Sequence, residues 1–403
     1  MAAPKLRFKE FDNDWINTKV KDLGEFSSGG TPSKDIHDYW NGNIPWISSS
    51  DLNEESIFDI RINRFISEDA IKNSATKKIP KNSILLVSRV GVGKVALTNQ
   101  ELCTSQDFTA LTPKKDYALF IAYLMKNITP RLLDLNQGTS IKGFVREDLI
   151  SLPISLPSKE EQTKIASFLS AVDEKISQLT QKHELLNQYK QGMMQKLFSQ
   201  EIRFKADDGS EFGEWEERKL SEISQKAMYG MNAAATEYDG INKYLRITDI
   251  CEFSNSFKKD NLTSPNAELF DRYKLQLGDL LFARTGASVG KSYLYREDDG
   301  ITYFAGFLIR FSLNTNLVIP YFIFLQTLIK EFCQWVVTNS MRSGQPGINA
   351  EEYSSYIFKV PCLEEQTKIA NFLSSIDQKI EVVAQQIEQA KTWKKGLLQQ
   401  MFV

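Results

Sequence analysis

The chain has 403 residues, of which 42% are hydrophobic and 25% charged, and its net charge is -2. Such a length supports two or three domains with cores of their own, and the composition is ordinary for a globular protein in water. The near-neutral balance excludes a globally basic nucleic-acid binder, while four scattered cysteines without a C-x-x-C pair and only two histidines, His37 and His183, argue against a disulfide framework or a structural zinc.

The N-terminal stretch MAAPKLRFKEFDND lacks the apolar run of a secretory signal, and with the cysteine usage this fits a reducing cytoplasm. Residues 1–156 read as a mixed α/β region: a strand in SILLVSRV (Ser83–Val90), a glycine loop ending at Lys94, and a helix in YALFIAYLMKNI (Tyr117–Ile128). Residues 157–200 read as a long helix. Ser158-x-x-Glu161 has capping-box spacing, and apolar positions then alternate at four and three: Ile165, Leu169, Val172, Ile176, Leu179, continuing through His183, Leu186, Lys190, Met193 and Leu197. Residues 201–360 form a second mixed region, with a strand in DLLFARTG (Asp279–Gly286) and a helix through PYFIFLQTLIKEFCQWVV (Pro320–Val337). Its most apolar run, Leu317–Ile329, contains Pro320 and falls short of the roughly 20 residues a membrane span needs. Residues 361–403 are a second long helix with its own seam: Ile369, Leu373, Ile376, Ile380, Val383, then Ile387, Ala390, Lys394, Leu397 and Met401.

The two halves repeat each other. PSKEEQTKIASFLSAVDEKI from Pro157 matches PCLEEQTKIANFLSSIDQKI from Pro361 without a gap, and Glu160–Phe198 agrees with Glu364–Phe402 at 19 of 39 positions. Weaker matches pair LRFKEF with IRFKAD, IPWISSSDL with KYLRITDI, ILLVSRVGVGK with LLFARTGASVGK, and NQGTSIKGF with MRSGQPGI. Each long segment would extend roughly 60 Å as one helix. A seam of that length is best buried by pairing the two helices, and an antiparallel pair would put the two mixed regions at opposite ends of a rod. Lys190 and Lys394 occupy matching seam positions, where they either reach out to solvent or fix register or touch a partner; His183 reads as a tolerated seam residue.

FARTGASVGKSYLY (Phe282–Tyr295) resembles a phosphate loop. The Walker pattern G-x-x-x-x-G-K-[ST] would require glycine at 285, which is Thr285, and in the first half Lys94 is followed by Val95 rather than a hydroxyl. A nucleotide-binding protein of phosphate-loop type is therefore one alternative; a coiled-coil scaffold that reads nothing is the other. No N-P-P-Y or D-P-P-Y methyltransferase loop occurs, so the chain is expected to be non-catalytic. Charge is balanced in both mixed regions: residues 1–155 hold 20 Lys and Arg against 19 Asp and Glu, and residues 201–360 hold 18 against 22. A nucleic-acid surface must therefore be local. Its candidates are basic residues beside glycine loops: Arg89 and Lys94, Arg284 and Lys291, Lys142 beside Gly138-Thr139-Ser140, and Arg342 beside Ser343-Gly344-Gln345.

GEFSSGGTPSKDIHDYWNGNIPWISSSDL (Gly24–Leu52), followed by two P-x-x-E-E-Q-T-K-I-A helices, resembles the specificity subunits of type I restriction–modification enzymes over essentially the whole chain. The resemblance implies two target-recognition domains of mixed α/β fold, joined by two long antiparallel helices in a coiled coil with pseudo-two-fold duplication: domain 1 over 1–156, spacer helix 157–200, domain 2 over 201–360, second helical region 361–403. It implies double-stranded DNA, two modification subunits and restriction subunits as partners, no membrane, and S-adenosylmethionine, ATP and Mg on those partners with no cofactor in this chain. Each domain would read one half of a split target from the major groove. If the halves read different sequences, shared residues cannot carry the difference. Arg89/Arg284 and Lys94/Lys291 are thus expected at phosphates or in shaping the loop, with base readout at diverging positions: Ser48, Ser49, Ser50 and Asn53 in one half, Arg246, Thr248, Asn255, Lys258, Lys259 and Gln345 in the other.

Overall fold

The computed structural model describes residues 4–134, 143–252, 254–341 and 344–403. The chain forms two compact units, one from Met1–Lys182 with Val383–Val403 and the other from His183–Val382. Each of the two long helices, Lys159–Phe198 and Leu363–Met401, contributes residues to both units.

In the first unit a four-stranded antiparallel sheet runs in the order Gly24–Ser28, Phe108–Pro113, Ile84–Val87, Val95–Leu97. Ile84–Val87 is apolar at every position because both faces are covered. Successive side chains alternate, so Ile84 and Leu86 join the core around the helix Ala118–Asp134, while Leu85 and Val87 pack with Ile47, Leu52, Ile79 and Phe108. Ile44–Ile47 and Leu102–Thr104 lie parallel beside this second core. The second unit repeats the plan: sheet order Met228–Tyr229, Leu308–Ser312, Asp279–Ala283, Ser292–Leu294, and a parallel pair of Lys243–Leu245 with Thr302–Phe304. Leu280 and Phe282 face one core, Leu281 and Ala283 the other. Two regions with few side chains in common thus share a topology.

One expected element is divided. In place of a single helix over Pro320–Val337 there are two, Pro320–Gln326 and Lys330–Ser340. The Gln326 side chain is bonded to the backbone of Lys359, its Nε2 donating to the carbonyl at 3.0 Å and its Oε1 accepting the N–H at 3.3 Å. The Thr327 hydroxyl donates to the Phe324 carbonyl at 2.6 Å. Thr327 and Leu328 N–H groups then reach back only three residues, to Phe324 and Leu325, and this tightened turn ends the helix.

The long helices pair antiparallel within each unit. Ile165, Leu169 and Val172 share the first core with Leu397, Met401 and Phe402; Ile369, Leu373 and Ile376 share the second with Met194, Leu197 and Phe198. Of the other expected seam residues, Leu179 and Val383 are buried and Ile176 and Ile380 half-buried. The seam lysines do not reach out to solvent. Lys394 Nζ lies 2.5 Å from Asp173 and Lys190 Nζ lies 2.6 Å from Asp377. Each aspartate also accepts a tyrosine hydroxyl, from Tyr123 at 2.6 Å and from Tyr321. Burial, with the adjoining carboxylate, holds both phenols well above their ordinary pKa. These pairs, nearly buried at Lys394 and Asp173 and more open at Asp377, fix the helix register.

The repeated Glu-Glu-Gln motif fastens each mixed region to the start of a helix. Glu161 accepts Arg7 Nε and Nη2 at 2.7 and 2.8 Å; Glu365 accepts Arg203 Nε and Nη2 at 3.0 and 2.7 Å and Trp215 Nε1 at 3.1 Å. Gln162 accepts the Tyr117 N–H at 3.0 Å and Gln366 the Ile319 N–H at 2.8 Å. With its carboxylate so occupied, Glu161 completes only half of the expected capping box, its N–H donating to Ser158 Oγ at 3.3 Å.

Candidate nucleic-acid interface

Both glycine loops join antiparallel strands. The first connects Ile84–Val87 to Val95–Leu97, and the second Asp279–Ala283 to Ser292–Leu294. A phosphate loop feeds a helix, whose N-terminal N–H groups and dipole bind the anion; neither loop does so. Lys94 Nζ instead donates to the Ser49 and Leu52 carbonyls at 3.0 Å each, and Lys291 Nζ lies 3.4 Å from a Glu252 carboxylate oxygen. In both units the lysine ties the loop to the turn that follows the first strand of the parallel pair. Gly290 is required in the second loop: it has φ of 83° and a Cβ there would meet Val336 Cγ1 at 2.4 Å.

Backbone hydrogen bonds revise the pairing of the arginines. Val87 N–H donates to the Lys94 carbonyl and Ala283 N–H to the Lys291 carbonyl, so the lysines correspond. The next residue donates to the Asp107 carbonyl from Ser88 (2.8 Å) and to the Phe307 carbonyl from Arg284 (3.0 Å). Likewise Phe144 N–H reaches the Ser88 carbonyl and Ile348 N–H the Arg284 carbonyl. Arg284 therefore corresponds to Ser88, and Arg89 to Thr285, the second loop carrying one more residue. The two arginines are not a shared pair. Arg89 is exposed, without a hydrogen bond or ion pair among the described residues. Arg284 Nε donates to the Gly306 carbonyl at 3.0 Å, and its guanidinium carbon lies 5.1 Å from the Tyr229 ring centre and 5.7 Å from that of Phe307.

The diverging positions after the first parallel strand form the same turn in both units. Asp51 accepts the Ser48 N–H at 2.7 Å and its hydroxyl at 3.1 Å, and pairs with Arg64. Asp249 accepts the Arg246 N–H at 3.0 Å and holds both Nε (2.8 Å) and Nη2 (2.9 Å) of the same arginine. Ser50, Asn53, Thr248, Lys258, Lys259 and Gln345 are exposed; Lys258 Nζ donates to the Thr248 carbonyl at 3.0 Å, which holds it along the turn. Two expected base readers serve the fold instead. Ser49 is buried, and Asn255, at φ of 52°, donates Nδ2 inward to the Ser292 carbonyl at 2.9 Å. Lys142, with Gly138-Thr139-Ser140, and Arg342 lie outside the described residues.

The sequence reading missed the aromatic flank of Arg284. Tyr229 is 41% and Phe307 55% exposed, and Tyr229 also accepts the Ala350 N–H at 3.1 Å. Nothing in the pattern distinguishes these from core aromatics, since Phe307 precedes the buried strand Leu308–Ser312. Arg64, which supplies in the first unit the charge that Arg246 supplies in the second, comes from a separate strand region and had no positional signal. Among the described residues no helix is long and apolar enough to cross a membrane, and no cluster of His, Cys, Asp and Glu could hold a metal ion.

The family model for the type I restriction modification DNA specificity domain matches residues 12–188 and again 213–392. The chain is 34% identical over 250 residues to the type I restriction enzyme MjaIX specificity subunit of Methanocaldococcus jannaschii, an alignment spanning 58% of each protein. It is 31% identical over 186 residues to the EcoR124I/EcoR124II specificity subunit of Escherichia coli, spanning 44% of this chain and 45% of that one. The chain thus spans about half the length of these two relatives. The MjaVIII specificity subunit of M. jannaschii aligns over 399 residues at 25% identity, 96% of this chain and 91% of the relative. The S subunit of a type I restriction–modification system from M. genitalium has the same fold, with a TM-score of 0.59 at 19% identity, covering 100% of this chain and 99% of that one. With specificity domains matched in both halves and two recognition folds on one duplicated frame, this chain belongs to the type I restriction modification DNA specificity family.

Proposed function

We propose that the chain is the non-catalytic DNA-recognition subunit of a type I restriction–modification complex, each mixed region reading one half of a split target while the paired helices set the gap and bind the modification subunits. The observation that carries this is the contrast between frame and loops. Sheet order, helix register and the Glu-Glu-Gln fastening repeat in both units, whereas Ser48/Arg246, Asp107/Phe307 and Ser88/Arg284 differ at equivalent places. A duplicated frame with unlike side chains at its loops suits two readers of unlike sequence.

Two copies of one helical motif suit two copies of one partner, so the reading includes two modification subunits, with restriction subunits joining through them. S-adenosylmethionine, ATP and Mg belong to those partners, as does adenine N6 methylation. With a net charge of -2 the chain alone has little electrostatic attraction for DNA, and tight binding requires the modification subunits.

Methylome sequencing tests the reading. A split, asymmetric, adenine-methylated motif should vanish when this chain is deleted and return on complementation. A methylome unchanged by the deletion would rule it out.

A further inference from the structure

We propose that Arg284 reads a guanine in the half-site of the second unit, donating from its two terminal nitrogens to O6 and N7; this rests on the DNA-recognition reading above. Backbone register carries the first part of the argument. Arg284 stands where the first unit has Ser88, which is buried with its hydroxyl on the Asp107 carbonyl at 3.1 Å. The two units therefore present different chemistry at one equivalent point, as readers of different sequence must.

The second part is pre-organisation. The Arg284 N–H and carbonyl are both hydrogen-bonded, to Phe307 and Ile348, and Nε is held by the Gly306 carbonyl. The guanidinium lies over Tyr229 and Phe307, so its plane is set before DNA arrives. Its terminal nitrogens make no hydrogen bond among the described residues. A planar fork with Nε occupied and two donors free matches the O6/N7 edge of guanine, the commonest specific arginine contact in the major groove. The flanking rings are themselves half-exposed, and the place of Phe307 is taken in the first unit by Asp107, whose carboxylate accepts the Ser105 hydroxyl at 2.9 Å.

The test uses the complex with its modification subunits and duplexes carrying the motif found by methylome sequencing. Each guanine of the motif is replaced in turn by 7-deazaguanine, which pairs normally but lacks the N7 acceptor. For the wild-type complex, one guanine should prove sensitive, with methylation at limiting DNA falling roughly 5- to 100-fold. The Arg284→Ala complex should start weaker at that motif and lose the sensitivity. If every 7-deazaguanine duplex is methylated normally, or if Arg284→Ala weakens all sequences alike with a shallower salt slope, Arg284 is not a base reader. The wild-type arm needs no variant to fold. A motif that depends on this chain yet ignores 7-deazaguanine sinks the Arg284 assignment alone, whereas the absence of any split motif sinks the function beneath it.

Discussion

At the scale of single residues, the strongest commitments are the two buried glutamates. Glu365 is fully buried, paired with the Arg203 guanidinium and accepting the Trp215 indole N–H. Arg203→Ala would leave that carboxylate without its cation, and breaking such a pair costs about 3 kcal/mol. Thermal unfolding should show the second unit melting earlier while the first is unchanged, and Arg7→Ala should reverse the pattern; melting unchanged from the wild type in both variants would show that the pairs contribute nothing. The sequence made the E-E-Q-T-K-I-A motif visible but not its task. The arginines that satisfy it, Arg7 and Arg203, lie 154 and 162 residues away in the chain. The same limit misplaced the arginines of the glycine loops. Aligning by letter pairs Arg89 with Arg284, and only the backbone bonds of Ser88 and Arg284 show the extra loop residue.

At the scale of elements, periodicity was a reliable guide. The four-three series Ile165–Leu197 and Ile369–Met401 lie within the two helices Lys159–Phe198 and Leu363–Met401, and the apolar runs ILLV and LLFA are the strands. It failed where side chains override local preference, as when Gln326 and Thr327 divide the expected helix. It also could not show how the seam lysines are used, because their tyrosine partners do not align. Tyr123 lies six residues beyond Tyr117, and Tyr321 two beyond Ile319, although Gln162 and Gln366 anchor those two starting points alike. The tyrosine is thus recruited from different turns to complete the same cluster. Lys190→Met should lower stability by about 2 kcal/mol by leaving Asp377 charged beside Tyr321. Adding Asp377→Asn, which keeps an acceptor for the hydroxyl, should recover most of that in chemical denaturation. A neutral single variant would remove the pair from the account of register.

For the whole molecule, the helices are the proposed ruler, and the ion pairs decide how the ruler is to be tested. An insertion in the first helix alone would break register in one unit or the other. Four residues inserted in both helices, between Asp173 and Lys190 and between Asp377 and Lys394, leave each pair intact and add about 6 Å of helix. At roughly 3.4 Å per base pair, the methylated motif should gain one to two unspecified positions between its halves. An unchanged gap would show that something other than the helices sets the spacing.

The composition of the first unit bears on how the chain is made. Its core includes Leu397, Met401 and Phe402, and the Leu6 N–H donates to the Gln400 carbonyl. The second unit is one continuous stretch, His183–Val382. On the ribosome, the helix face that Leu397, Met401 and Phe402 cover in the first unit therefore stays bare until the whole of the second unit, His183–Val382, has been made, while the second unit closes from one stretch of chain. Synthesis order and folding order run in opposite directions, and truncation after Lys391 would take Leu397, Met401 and Phe402 out of the first unit's helix-packed core and nothing out of the second's.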